Sequence, residues 1–369
     1  MTAQRGSPTA DRLHVVLVGA GHTHLHVLDQ APRLRAAGVE LTLVAPASFV
    51  YSGMATAVAA GERHLAEASI DVGALARRRG VHHHVTRVRA VDPTRRQLTL
   101  EDGVELAYDV ASLNLGSVVR TDGMEVDAEV ATVKPFDRLL GMARWLAELP
   151  AGAGARVSIV GGGPTGLELA GQLAHRCGDR LQVTVLERGP APGSGLPAGA
   201  QRWLARLLHG RGVEVRTDAH VTAVHTDHLV VGGTRRDHEA AVIATGLAAP
   251  PLATTPGLGH AQGIPVTAEL HHRDQATLYA VGDCALFTPR PLPRIGVHGV
   301  RQGPVLVASL QALAAGRPLP RYRPQRRALQ ILDVGGGTAL ATRGRAWMPG
   351  PGALRLKHRI DEGWLDRYR

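Results

Sequence analysis

Two glycine-rich stretches carry residues that can do phosphate chemistry. Gly161-Gly162-Gly163-Pro164-Thr165-Gly166 is a complete G-x-G-x-x-G, whereas Gly19-Ala20-Gly21-His22-Thr23-His24 keeps two glycines and sets His24 in the third place. Glycines at this spacing let backbone N–H groups reach a pyrophosphate, and a helix that starts at the turn adds its positive end. Glu187 lies 26 positions after Gly161, where a carboxylate can bond an adenosine ribose and favour NADH over NADPH. Arg188 follows it and offers a seat for a 2′-phosphate. The same offset from Gly19 falls on Ala45, so the first turn lacks an acid there. Gly282-Asp283 is a third feature: a carboxylate at a strand end can hold a ribityl hydroxyl or cap a helix.

These groups need elements to position them. β-branched runs at 13–18 and 156–160 precede the two turns, and helical patterns follow, to about residue 37 and over 164–177. Further strands are expected at 39–44, as a short antiparallel set at 81–91, 97–101 and 105–115, at 181–187, between 213 and 231, and at 240–245. Helices are expected at about 135–149 and 300–315, with a polar hinge at 120–129. The halves form a degenerate repeat of strand, glycine turn, helix, strand and meander, closing on Gly116 in one and Gly246 in the other.

The expected fold is α/β, with two Rossmann-like three-layer domains, one inserted in the other, and a small C-terminal region. The expected boundaries are a disordered leader at 1–11, a first domain at 12–119 and 248–315, an inserted domain at 120–247, and a basic region at 316–369. At 369 residues the chain can bury a substantial core. No apolar run reaches the roughly 18 residues of a membrane span. The leader lacks a secretory h-region, and Cys177 and Cys284 form no C-x-x-C, so a reduced, cytoplasmic setting is expected.

Charge is uneven. The segment 317–369 holds twelve Lys/Arg against four Asp/Glu, while the whole chain is +10. Leu356, Ile360, Trp364 and Tyr368 recur every four residues among Arg355, Lys357, Arg359, Arg367 and Arg369. That pattern reads as an interfacial helix for an anionic membrane surface, or as a helix docked on its own protein or on a second copy in a homodimer. A cytoplasmic protein peripheral on the inner face of the plasma membrane fits the first alternative. No nucleic-acid partner is expected. Only two of the 42 basic residues are lysines, Lys134 and Lys357, which marks Lys134 as a compact ammonium kept for a purpose or surviving by chance at a helix start. For the histidine groups 22/24/26, 82–84 and 271–272 the sequence suggests no converging set of ligands with a carboxylate or Cys partner, and no metal site is expected.

The chain resembles flavoproteins of the pyridine nucleotide–disulfide oxidoreductase superfamily, in particular type II NADH dehydrogenases and the NADH dehydrogenase-like domain sometimes fused to selenide, water dikinase. The residues that carry this are 18–24, Tyr51-Ser52-Gly53-Met54, Val133-Lys134-Pro135, 161–166, Ala244-Thr245-Gly246, 280–283 and Val300-Arg301-Gln302-Gly303-Pro304. The resemblance implies FAD at Gly19, Ala20, Gly21, His22, Gly116, Gly282 and Asp283, and NAD(P)H at Gly161, Gly163, Gly166, Glu187 and Gly246. It further implies that Tyr51 to Met54, Ser52 and Met54 among them, line the flavin, that Lys134 lies near its N5 edge, and that the helix carrying Gln302 aims its N-terminus at the flavin ring. Electrons would pass from NADH through FAD to a quinone-like acceptor, with a soluble reductase of a protein electron carrier, or a flavin redox sensor, as alternatives. Ser52 and Met54 stand where disulfide reductases carry a cysteine pair, so a thiol relay is not expected.

Overall fold

The structure is a computed structural model, and it describes residues 12–369; the expected leader lies outside the described residues. The chain divides into two compact units, each assembled from separated segments. The first comprises residues 12–49, Asp71–Gly116 and Ala249–Pro324, and the second Val50–Ile70, Ser117–Ala248 and Gln325–Arg369.

The first unit is built on a five-stranded parallel sheet in the order Leu278–Ala280, Val110–Leu113, Leu13–Val18, Val39–Val44, His82–His84. Its central strands are buried over Val15–Val18, Leu41–Val44 and Val110–Leu113, as expected of parallel strands covered on both faces. The helix His22–Asp29 leaves the first turn and breaks at Gln30, where Pro32 starts a separate short helix, Ala31–Ala36. The expectation of one helix to residue 37 therefore fails at a proline. The helix Gly296–Ala314 starts four residues earlier than its sequence suggests. Gly303 allows a close approach: a Cβ there would lie 2.9 Å from the His26 side chain. The expected antiparallel strands at 81–91 and 105–115 each split in two: His82–His84 and Val110–Leu113 join the parallel main sheet, and Val88–Asp92 and Glu105–Ala107 form an antiparallel meander with Gln97–Leu100.

The second unit repeats the plan. Its parallel sheet runs Ala131–Thr132, Ala240–Ile243, Ala155–Val160, Leu181–Leu186, Glu214–Arg216. The helix Pro164–Cys177 starts on proline, which has no N–H to lose at a helix's first turn. The hairpin sheet Leu329–Asp333, Ala339–Arg343, Ala346–Gly350 and the helix Pro351–Leu365 complete the unit. Leu332, Val334 and Leu340 of that hairpin belong to the same core as Leu169, Leu173 and Ile159. A Cβ on Gly171 would lie 2.9 Å from Val334 O, so the absence of a side chain lets helix and hairpin touch. The Arg211 guanidinium fixes the contact by donating to Gly171 O, Val334 O and Gly335 O.

The expected four-residue stripe does not form one face. Leu356 and Ile360 are exposed, whereas Trp364 and Tyr368 are buried. A step of four overshoots a 3.6-residue turn, so four such residues drift roughly 120° around a helix. The buried face instead carries Ala353, Lys357, Asp361, Trp364 and Leu365. Lys357, counted above with the basic tail, is thus an interior residue.

Candidate functional site

The two glycine turns share the build of their first glycine. Gly19 (φ +85°) and Gly161 (φ +114°) take a conformation that favours glycine, and each lies against the backbone of a neighbouring strand end. A Cβ on Gly19 would lie 2.6 Å from Asn114 O, and one on Gly161 would lie 2.5 Å from Ala244 O. Gly163 has open space where a Cβ would point, as a cradle for a pyrophosphate requires, and so do Gly116 and Gly246.

In the second turn, Gly162 N donates to Glu187 Oε2 at 2.7 Å and Gly189 N donates to Oε1 at 2.7 Å. Gly193 N donates to Gly162 O at 2.7 Å, which folds the following loop onto the turn. Both carboxylate oxygens are therefore set in place by backbone donors beside the N-terminus of helix Pro164–Cys177. This arrangement fits a nicotinamide dinucleotide bound through phosphate amides and a ribose-bonding acid.

In the first turn, Ala20 is buried, and the His22 ring meets Phe49 edge to face at 5.2 Å. Asn114, absent from the sequence reading, joins three segments. Its Nδ2 donates to Val281 O at 3.0 Å, its Oδ1 accepts from His24 N at 3.4 Å, and its amide fills the space beside Gly21 and Gly282. Gln302 is buried, and its Oε1 accepts from Gly282 N at 2.7 Å. Asp283 sits in the turn Gly282–Cys284, whose backbone Arg294 Nε grips at Asp283 O, 2.9 Å away. An open cradle at Gly116 and a carboxylate on a fixed turn fit a flavin dinucleotide.

Of the other sequence-predicted residues, Ser52 and Met54 form a short 3₁₀ turn in the second unit, with Met54 buried. Lys134 is in the same unit, and its Nζ donates to Ser117 Oγ at 3.2 Å. Gln302 belongs to the first unit.

Sequence reasoning missed a buried polar group behind the Ser52 turn. Lys357 Nζ donates to Gly53 O at 2.5 Å and to Asp361 Oδ2 at 2.7 Å. Tyr51 OH donates to Asp361 Oδ1 at 2.9 Å, and its ring stacks on Trp364 at 4.8 Å. Burial and the Asp361 carboxylate push the Tyr51 phenol up. Glu168, on helix Pro164–Cys177, accepts from Asp333 N at 2.8 Å. Burial pushes its carboxyl up to about 7, against the opposing pull of the Lys357 ammonium. The signal available was the second of two lysines in an arginine-rich chain.

Cys177 and Cys284 are both buried thiols, and burial pushes Cys284 up to about 11, so neither is poised as a nucleophile. Among the described residues no group of three or more His, Cys, Asp or Glu could hold a metal ion. Among the same residues no helix is long and apolar enough to cross a membrane.

Comparison with known proteins matches residues 13–305 to the profile of the pyridine nucleotide-disulphide oxidoreductases. The chain is 27% identical over 329 residues to the probable ferredoxin reductase CtmF of Castellaniella defragrans, covering 84% of this chain and 77% of that one. It is 28% identical over 357 residues to the type II NADH:quinone oxidoreductase NdhA of Mycobacterium tuberculosis, covering 83% and 72%. A ferredoxin–NAD(+) reductase component from Burkholderia cepacia is 34% identical over 215 residues, 55% of this chain and 50% of that one. The chain thus spans between half and about three quarters of these relatives. Among solved structures, NDH2 of Plasmodium falciparum in complex with NADH superposes with a TM-score of 0.81 at 14% identity, covering 96% and 97% of the two chains. That likeness is one of fold.

Proposed function

We propose that this chain, which belongs to the pyridine nucleotide-disulphide oxidoreductase family, passes electrons from NADH through FAD to a quinone-like acceptor. The observation that carries the reading is the pair of glycine turns, each with its first glycine pressed on a neighbouring strand end, in one chain whose two cysteines are both buried. FAD, when bound, accepts hydride from the nicotinamide and delivers electrons onward. The protein's own residues bind and orient. The amides at Gly161 to Gly166 and the helix after them take the NADH phosphates, and Glu187 takes the ribose. Gly19, Gly21, Gly116 and the Gly282-Asp283 turn take FAD. Lys134 would set a positive charge beside the flavin, and Ser52 and Met54 would line it.

The acceptor reading draws support from the quinone-reducing relatives. The ferredoxin reductases among the same relatives favour a second reading, in which a protein carrier takes the electrons. Anaerobic titration of the purified yellow protein with NADH, followed by acceptors, separates them. Rapid reoxidation by a short-chain quinone supports the first reading, whereas reoxidation only by an iron–sulfur or other protein carrier supports the second. A long-lived charge-transfer band with neither acceptor would point to a redox sensor instead.

We further propose an anionic membrane surface as the place where the acceptor is met. Exposed Met348, Trp347, Leu356 and Ile360 lie in a region with Arg343, Arg345, Arg355 and Arg359, an apolar and basic combination that suits a lipid interface.

A further inference from the structure

His24 occupies the position where the first turn departs from its fingerprint, and the structure gives it a definite task. In the second turn the third glycine, Gly166, has no room for a side chain: a Cβ there would overlap Gly161 O. Helix and strand meet by close packing. In the first turn the corresponding carbonyl, Gly19 O, lies 2.6 Å from His24 Nδ1. The same oxygen that forbids a side chain in one turn is hydrogen-bonded by a side chain in the other, so the first helix must stand far enough from Gly19 to admit a ring.

The imidazole is held at both ends. Nε2 lies 2.9 Å from Ser112 Oγ, on the strand Val110–Leu113. Gly19 O can only accept, so Nδ1 carries the proton, Nε2 is an acceptor, and the Ser112 hydroxyl donates to it. The ring is fully buried, and burial drives its pKa down to about 4, so the neutral tautomer this pattern needs is the one present at neutral pH. The neighbouring Thr23 Oγ1 donates to Gly299 O at 2.7 Å, tying the same helix turn to the helix Gly296–Ala314.

We infer that His24 is a positioning residue for the dinucleotide held by the first turn, replacing the third glycine's close packing with two hydrogen bonds that set the turn's shape. The inference rests on the assignment of FAD to that turn. It implies that restoring the fingerprint glycine damages the site. His24→Gly removes the bond to Gly19 O, leaves the Ser112 hydroxyl without its acceptor, and opens a ring-sized void between helix and sheet.

The test is flavin release from the purified holoprotein on dilution, followed by recovery of flavin fluorescence, for wild type, His24→Gly, His24→Asn and Ser112→Ala. His24→Gly is expected to release flavin at least tenfold faster than wild type. His24→Asn should recover part of the loss, because its Nδ2 stands near the place of Nδ1 and can still donate to Gly19 O. Ser112→Ala should release flavin faster by a smaller factor. Wild-type release from His24→Gly, or no recovery in His24→Asn, overturns the inference. If His24→Gly does not fold, the other two variants decide: faster release from both supports the inference, and wild-type release from both overturns it. A wild-type protein that carries and binds no flavin sinks the FAD assignment, and the inference with it, whereas a yellow His24→Gly variant of unchanged retention sinks the inference alone.

Discussion

Lys357 and Asp361 form an ion pair at 2.7 Å across one turn of the terminal helix, both almost wholly removed from solvent. The pair is cross-tied, since Lys357 also donates to Gly53 O and Asp361 accepts from Tyr51 OH. Breaking one side of a buried pair leaves an uncompensated charge, which costs about 3 kcal/mol or more. Lys357→Met should therefore lower the midpoint of urea unfolding sharply. The double variant Lys357→Met/Asp361→Leu should recover much of that loss, because no charge is then stranded. Equal stability of wild type and the single variant would show that the pair contributes nothing.

Glu168 makes a pH prediction with a definite sign. Its folded carboxyl is held near 7 by burial, above its ordinary 4.5. The folded state thus binds a proton that the unfolded state releases between these values. The contribution is fully present below about 4.5 and is lost as pH rises through 7. Relative to Glu168→Gln, the wild type should lose stability across that window by an amount on the order of 3 kcal/mol. Denaturant melts of both proteins at several pH values check it, and parallel pH profiles would refute it.

Much of this organisation is written in the chain. Strands Leu13–Val18 and Val39–Val44 and helix Pro164–Cys177 fall where their patterns place them, because apolar runs, glycine turns and a proline at a helix start are local signals. What was not legible depends on distant partners. Helix Val72–Arg79 is the exception, short and arginine-rich, with a purely local signal in its Asp71 cap, which accepts from Ala74 N. The terminal helix shows a basic surface in its sequence, yet its buried face is chosen by Gly53 and Tyr51, hundreds of positions away, with Tyr51 stacking on the helix's own Trp364. Asn114 and His24 join strand ends and a turn that only the sheet order brings together.

Cofactor choice should follow from how Glu187 is held. Both its oxygens accept backbone N–H groups, at 2.7 Å each, so the carboxylate cannot easily swing aside for a 2′-phosphate. Steady-state kcat/KM should favour NADH over NADPH by at least about tenfold, about 1.4 kcal/mol of discrimination. Glu187→Gln should narrow that ratio, chiefly by improving NADPH. An NADPH preference in the wild type would mean that Arg188 governs the site instead.

Lys134 tests the flavin-edge assignment. Its ammonium donates to Ser117 Oγ at 3.2 Å, and it is one of only two lysines among 42 basic residues. If its compact charge acts beside the flavin, Lys134→Ala should slow flavin reduction by NADH at least about tenfold in stopped flow, each tenfold being about 1.4 kcal/mol of barrier. Lys134→Arg should restore little, since a guanidinium fork differs in shape and hydration. Unchanged reduction rates in Lys134→Ala would remove the residue from the mechanism.

The membrane reading can be tested without disturbing the core. Met348 and Ile360 are 49% and 44% exposed, so replacing both by Gln should leave folding intact. Trp347 is a poorer choice, because its ring packs where a Cβ on Gly199 would sit. Burying one large apolar side chain at an interface is worth about 1.5–3 kcal/mol, so losing two should weaken binding to anionic vesicles well over tenfold. Neutralising Arg355 and Arg359 should weaken it too, with a loss that shrinks as salt is raised. Loss with both pairs is the signature of an interfacial surface that needs apolar insertion and charge together. Sedimentation with vesicles that is unchanged by the Met348→Gln/Ile360→Gln variant, or absent in the wild type, would assign the basic segment to solvent and leave the electron acceptor to be met in solution.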